Sequence, residues 1–333
     1  MSRELGKAIY KKERIETVLA LWGIKDDLDI KEEDITYEID RELHVFTVNE
    51  NYILKITNNK DEMTNNVYIS NLLFKAGIPV QKVVYNLAGE SYVIIENKYY
   101  GLFTRIKGEV LKDYYQGDYV KRGFYLGECI AKLHDGLKNI TDELKDNNNL
   151  WDNNMIEELS GWVDEEINIY IPKCTLAEEE IKRFNSIKTE INENFKELYF
   201  KLPRQIIHRD IHGENMIFQD NHLVGYIDFD LSQINTRIFD VCYLCTGSLA
   251  RIFNKKEMRE KWIDLAKAII KGYESKCKIT IEEQMSIKYM FYSIELIMIA
   301  FFARDGYKEL ANNNIEMINW ISSVWDNYTN KLR

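Results

Sequence analysis

Proline is nearly missing from this chain, with three in 333 residues, and no serine- or glycine-rich tract takes its place. Neither a stiff nor a flexible linker between independent parts is therefore expected. Positive charge is in deficit as well: 44 Lys and Arg stand against 54 Asp and Glu, for a formal net charge of -10 and a pI near 5.2. Such a balance repels phosphate backbones and anionic membrane surfaces and attracts small cations, so neither a nucleic-acid nor a membrane partner is expected. No feature points to a protein partner. The five cysteines are odd in number and lack metal-ligand spacing, which fits reduced thiols in the cytosol rather than a disulfide framework. Cys242 and Cys245 form the one CxxC, but with Phe239 they recur at helical spacing and read as buried small residues.

Long apolar runs are also lacking. The run Leu296 to Ala303 is far shorter than a membrane span and is closed by Arg304 and Asp305. The first residues mix acids and bases without an apolar core or a small-residue cleavage site, so no secretory signal is expected. There is no Gly-x-Gly-x-x-Gly and no Walker loop, which excludes P-loop chemistry.

What is present reads as an α+β plan in two lobes. From Ile35 to Arg105, β-branched and aromatic runs around Val45, Tyr52–Ile56 and Ser91–Ile95 flank one helix, Asp61 to Lys75, which exits at Gly77-Ile78-Pro79. Beyond Gly108 long helical patterns dominate: Tyr119–His134, Met155–Ile171, Ala177–Phe200, Lys256–Glu274 and Ile281–Ala303. Between them, Ile206 to Asp230 reads as two short strands joined by the turn Gln219-Asp220-Asn221-His222. A mostly antiparallel sheet lobe, residues 1–106, followed by a mostly helical lobe, 107–333, is the expected organisation, with the hinge at 104–108.

The most polar stretch is IIHRDIHGENMIF, Ile206 to Phe218. His208 and His212 lie four apart, as on a zinc-binding helix, but the β-rich flank and Gly213 argue against a helix and no glutamate follows the first histidine. A plain polar loop is the bland alternative. Against it stands Tyr226-Ile227-Asp228-Phe229-Asp230, a second acid pair at the end of an apolar strand, which a hairpin would bring to the same mouth as Asp210 and Asn215. An aspartate to accept a hydroxyl proton, with an asparagine and a second aspartate to hold magnesium, is the set that phosphoryl transfer requires. Lys55, within the strand Tyr52–Ile56, would supply the cation for the phosphates that stay behind.

Taken in order, these segments resemble the aminoglycoside phosphotransferase and choline kinase family, small-molecule kinases with a protein-kinase-like fold. "YILKI" resembles the strand with the nucleotide lysine, "GIPV" the end of the next helix, "GLFTRIKGE" the adenine-binding linker and "LGECIAKLH" the helix ahead of the acceptor region. "HRDIHGENMIF" and "GYIDFD" resemble the catalytic and metal loops, and "RIFDVCYL" the helix that follows. The resemblance implies Asp210 as catalytic base with His208 orienting its loop, and Asn215 and Asp228 as magnesium ligands assisted by Asp230. It implies Lys55 on the α- and β-phosphates of ATP, backbone groups of Thr104 and Ile106 on adenine with Phe103 behind it, and Asp40 to His44 as the turn covering the nucleotide. Asp240 would brace the catalytic loop and His134 would pack beneath it. The acid that pairs with Lys55 is left open between Glu62 and the position of Asn66.

One departure is Arg209, where the family usually has glycine. Protein kinases use an arginine there to read a phosphorylated loop, yet the segment from Asp228 to Asp240 is short and lacks Ala-Pro-Glu. A phospho-regulated loop and a protein substrate are therefore not expected. The implied activity is transfer of the ATP γ-phosphate to a hydroxyl of a small, cationic or sugar-like acceptor. The alternative is an inactive kinase-fold protein serving as nucleotide sensor or structural component. The intact base, metal ligands and lysine favour activity.

Overall fold

The protein was studied as a computed structural model that describes residues 12–25, 27–33, 44–145 and 152–327. The covering turn expected at Asp40 to His44 lies, apart from His44, outside those residues. The chain divides into two compact units, Met1–Lys107 and Gly108–Arg333. That division falls one residue beyond the boundary read from the sequence.

The first unit is an antiparallel sheet with a helix on each face. Its elements are α1 (Lys12–Leu19), β1 (Ile30–Glu32), β2 (His44–Val48), β3 (Tyr52–Thr57), α2 (Lys60–Lys75), β4 (Val83–Val84), β5 (Val93–Ile95) and β6 (Lys98–Thr104). The strand order is β1-β2-β3-β6-β4, with β5 pairing β6. Alternation along the strands sends Phe46, Val48, Leu54, Ile56, Tyr100 and Leu102 to one face, where Ile15, Val18, Leu19 and Trp22 cover them. Phe103 and Val83 turn to the other face and meet Met63 and Val67 of α2. Asn59 caps α2 by accepting from the backbone of Asp61 and Glu62. The helix α1 and the strands β1, β4 and β6 were not among the expected elements.

The second unit is mostly helical: β7 (Glu109–Val110), α3 (Tyr119–Lys145), α4 (Met155–Glu158), α5 (Asp164–Tyr170), α6 (Glu178–Tyr199), β8 (Arg204–Ile207), β9 (Met216–Gln219), β10 (His222–Tyr226), β11 (Gln233–Thr236), α7 (Ile238–Ala250), α8 (Arg259–Lys276), α9 (Ile281–Arg304) and α10 (Lys308–Asn327). The expected single helix Met155–Ile171 is interrupted by a π-helical turn, Leu159–Val163, where Gly161 leaves helical geometry at φ -97°, ψ -116°. Helices α3 and α8 cross at glycines: a Cβ on Gly127 would collide with the carbonyl of Ile269, and one on Gly272 with that of Phe124.

The Ile206–Asp230 region corrects the two-strand expectation. The turn at Asp220 and Asn221, both at positive φ (50° and 63°), does join a hairpin, but that hairpin is β9–β10. The strand β8 ahead of the His-Arg-Asp sequence pairs with β11 instead, Ile207 opposite Gln233. Three elements therefore meet at the polar loop: β8 enters it, the β9–β10 hairpin leaves it, and α7 follows β11.

Candidate active site

In the first unit, Lys55 lies in the middle of β3, buried, opposite Val45 on one side and Gly101 on the other. Opposed residues of an antiparallel pair share a face, so Lys55 is on the α2 side of the sheet. Gly101 is needed there, because a Cβ would come within 2.5 Å of the Met63 sulfur. Glu62, in the first turn of α2, accepts hydrogen bonds from Thr57 Oγ1 (3.1 Å) and Asn59 Nδ2 (2.9 Å). Asn66, a turn further on, is buried and accepts from the Ser70 hydroxyl at 3.5 Å. Phe103 is fully buried beneath α2.

The segment after β6 narrows what can be offered to a base. The Thr104 N–H already donates to the Lys82 carbonyl (2.8 Å) and the Arg105 N–H to Asn51 (2.7 Å). The Thr104 N–H is therefore engaged, which leaves its carbonyl as the backbone group it could offer a base. Ile106 and Lys107 make no loop or turn backbone hydrogen bond among the described residues.

In the second unit, the loop that follows β8 is built on a buried carboxylate. Asp240, at the start of α7, accepts the N–H of His208 (2.8 Å) and of Arg209 (2.9 Å), and His134 Nε2 (2.9 Å) from α3. The other nitrogen of His134 is bound to the Tyr273 hydroxyl of α8. His134 thus holds the brace and does more than pack beneath it. His208 is fully buried and uses both ring nitrogens: Nδ1 accepts the Asp210 N–H (3.3 Å), which assigns the proton to Nε2, donated to the Ile227 carbonyl (2.9 Å). Its ring lies on Phe229 at 4.8 Å. With both nitrogens occupied, it is not a zinc ligand, and no group of three or more His, Cys, Asp or Glu that could hold a metal exists among the described residues.

The hairpin mouth gathers the polar residues. Met216 pairs with Tyr226 at the open end of β9–β10, and the Ile227 N–H donates to the Asn215 carbonyl at 3.1 Å. Asn215 therefore sits beside the segment that carries Asp228. Asp228 has φ +71°, a strained left-handed value of the kind that concentrates at functional sites. Asp230, buried, follows two residues later in the turn closed by Ser232 N–H and the Phe229 carbonyl. Asn215 Nδ2 donates to the Asp210 carbonyl (2.8 Å) and to Asp210 Oδ2 (3.1 Å). With its nitrogen on Asp210, the amide of Asn215 keeps its oxygen as the remaining polar atom, the kind of ligand a hard cation takes. Gly213 is demanded by the approach of Leu111 and Tyr114; its N–H donates to the Tyr114 hydroxyl at 2.6 Å.

Asp210 itself is held on both oxygens. Oδ1 accepts from the Tyr243 hydroxyl at 2.7 Å, and Oδ2 lies 3.4 Å from His212 Nε2. Burial alone would raise the carboxyl, but the hydrogen bonds and charge of His212 and the Tyr243 hydroxyl more than offset it, and its pKa lies below the ordinary aspartate value. An ionised carboxylate at neutral pH is what a proton acceptor needs. Arg209, at φ +72°, donates through Nη2 to both oxygens of Glu158 (2.8 and 2.9 Å), and its guanidinium lies 4.3 Å over Phe239. Tyr243, Arg209's partner Glu158 and the Phe239 stack were not singled out from the sequence.

The neighbours among solved structures define the class first. The chain superposes on an amicoumacin kinase in complex with AMP-PNP and Ca2+ with a TM-score of 0.68 at 13% identity, over 93% of each chain. A microcompartment-associated aminopropanol kinase gives 0.66 at 13% identity, over 97% of this chain and 99% of that one. The GDP complex of an aminoglycoside 2'-phosphotransferase gives 0.67 at 12%, over 94% and 99%. The fold is protein-kinase-like, of the kind found in small-molecule kinases. The profile of the phosphotransferase enzyme family matches residues 38–282, and the protein belongs to that family. A homoserine kinase of Zymomonas mobilis is 28% identical over 161 residues, a match of 47% of this chain and 44% of that protein, so less than half of the relative's length is spanned.

Proposed function

We propose that the protein is an ATP-dependent kinase that phosphorylates a hydroxyl of a small, amine-bearing molecule. The observation that carries this reading is the arrangement at the hairpin mouth: Asp210, whose carboxyl is held below its ordinary pKa, is tied through Asn215 to the segment that carries Asp228. Asp210 accepts the acceptor's hydroxyl proton as the acceptor oxygen bonds to the γ-phosphorus and the bond to the β–γ bridging oxygen breaks, releasing ADP. Asn215 and Asp228, assisted by Asp230, would hold magnesium, which neutralises the phosphate charge when bound. Lys55 of the first unit would hold the α- and β-phosphates, and the backbone of Ile106 would meet adenine. Neighbours bind AMP-PNP, ADP or GDP, which supports a nucleoside triphosphate as donor. Relatives named for homoserine and aminopropanol support an amino alcohol as acceptor. We read the compartment as the cytosol, where the five free cysteines stay reduced.

The test is acceptor-dependent ADP release from ATP and magnesium, with L-homoserine, 1-amino-2-propanol, choline and aminoglycosides as acceptors, beside Asp210→Asn. We expect the variant to bind ATP and to lose turnover by roughly 10²- to 10⁴-fold. A protein that binds no nucleotide and turns over no acceptor would instead be the inactive sensor or structural relative.

A further inference from the structure

The catalytic carboxylate has a partner that phosphoryl transfer does not by itself call for. Tyr243 projects from the second turn of α7, and its hydroxyl is the one donor to Asp210 Oδ1 among the described contacts, at 2.7 Å. Oδ2 has different company, Asn215 Nδ2 at 3.1 Å and His212 Nε2 at 3.4 Å. Tyr243 is itself held from behind. Its ring stacks on Phe239 at 5.7 Å and 18°, and Phe239 also carries the Arg209 guanidinium at 4.3 Å, fastened to Glu158. Since Arg209 precedes Asp210 in the chain, the contacts form a closed loop: Asp210, Arg209, Phe239, Tyr243 and back to Asp210. Asp240, one residue after Phe239, grips the backbone of the same loop, so α7 holds both its main chain and its carboxylate.

We propose that Tyr243 is a positioning residue for phosphoryl transfer: it pins Oδ1 of Asp210 and thereby makes Oδ2 the oxygen that receives the acceptor's proton. The proposal rests on the reading of Asp210 as the base. A carboxylate can rotate about its last torsion with little penalty, and a base must present one lone pair within hydrogen-bond reach of the attacking hydroxyl. A donor on Oδ1 removes that freedom. Burial and the neighbouring Asp210 charge hold the Tyr243 phenol well above its usual pKa, so it remains a donor throughout the working pH range. Oδ1 is held at 2.7 Å, whereas the contacts of Oδ2 are longer, 3.1 and 3.4 Å, so Oδ2 is the more weakly held oxygen. The proton moves from the acceptor hydroxyl to Oδ2 as the new O–P bond forms and the β–γ bridging bond breaks.

The experiment compares wild type, Tyr243→Phe, Phe239→Leu and Asp210→Asn, using the acceptor from the panel that releases most ADP. Tyr243→Phe removes one oxygen and keeps the stack, and it is expected to lower kcat about 10- to 100-fold while leaving KM for ATP and acceptor within about twofold. Phe239→Leu is expected to give a smaller kcat loss of the same kind. A crystal structure of Tyr243→Phe with AMP-PNP is expected to show the Asp210 carboxylate rotated. Unchanged kcat in Tyr243→Phe alongside a dead Asp210→Asn overturns the proposal and leaves the kinase reading standing. An Asp210 carboxylate that keeps its place without the hydroxyl also overturns it. No ADP release by wild type with any acceptor sinks the kinase reading and this proposal with it. Should Tyr243→Phe fail to fold, undiminished kcat in Phe239→Leu is the overturning result.

Discussion

Arg209 holds a left-handed backbone conformation, φ +72°, that costs a non-glycine residue on the order of 1 kcal/mol. Glycine would avoid that cost, so the arginine must return more than it takes. Its return is the ion pair with Glu158, whose two side chains are 12% and 11% exposed, together with the cation–π contact on Phe239. Removing one partner of such a pair leaves a buried charge and costs on the order of 3–5 kcal/mol, larger than the strain recovered. Arg209→Gly is therefore expected to lower stability in urea unfolding by about 2–4 kcal/mol, and Glu158→Leu added to it to restore part of the loss. An Arg209→Gly protein as stable as wild type would show the pair to be idle. Glu295 in α9 is the opposite case. It is 1% exposed, its Oε2 has no hydrogen-bond partner among the described residues, and burial pushes its carboxyl well above the usual value of 4.5. A carboxyl whose pKa rises on folding costs nothing below its unfolded pKa, and the penalty grows as pH climbs through 4.5 toward the folded value. Glu295→Gln should raise the thermal midpoint at pH 7 and leave it unchanged near pH 4. Equal shifts at both pH values would refute the titration account.

At the scale of elements, the crossing of α3 and α8 is fixed by backbone contact at Gly127 and Gly272, and no side chain fits between. Overpacking at such a site costs typically about 1–3 kcal/mol, so Gly127→Ala should lower the thermal midpoint with the secondary structure intact by circular dichroism. Because α3 carries His134, which holds Asp240 and through it the catalytic loop, the same variant should also lose kcat. The sequence revealed the parts of this arrangement that are local. The β9–β10 hairpin announces itself by an Asp-Asn turn between alternating strands, and it alone brings Asn215 beside Asp228. The long amphipathic helices were readable for the same reason. What escaped is non-local or weakly patterned. Tyr243 reaches Asp210 across 33 residues and Glu158 reaches Arg209 across 51, and each sits at helical spacing indistinguishable from ordinary core or surface. The strand pairing of β8 with β11 has no turn signal between them. The helix α1, KERIETVL, buries only Ile15, Val18 and Leu19 amid charged residues, too narrow a stripe to stand out. That the Thr104 N–H is engaged by the Lys82 carbonyl depends on strand pairing, which composition does not encode.

For the molecule as a whole, a net charge of -10 sets two substrates against each other. ATP, the proposed donor, is anionic and would be captured by Lys55 and a bound metal against the field of the rest. An amine-bearing acceptor is drawn by that same field before it touches the site. Added salt screens exposed charges over a Debye length that shortens from about 10 Å at 0.1 M to about 3 Å at 1 M, so it weakens both effects, in opposite senses. Between 50 mM and 500 mM potassium chloride, roughly within that range of screening, KM for an amine-bearing acceptor should rise several-fold, whereas KM for ATP should stay level or fall. A choline or amino-alcohol acceptor whose KM ignores salt would show that the charge is mere solubility. Hydrogen bonds rather than charge would then guide the acceptor to its place.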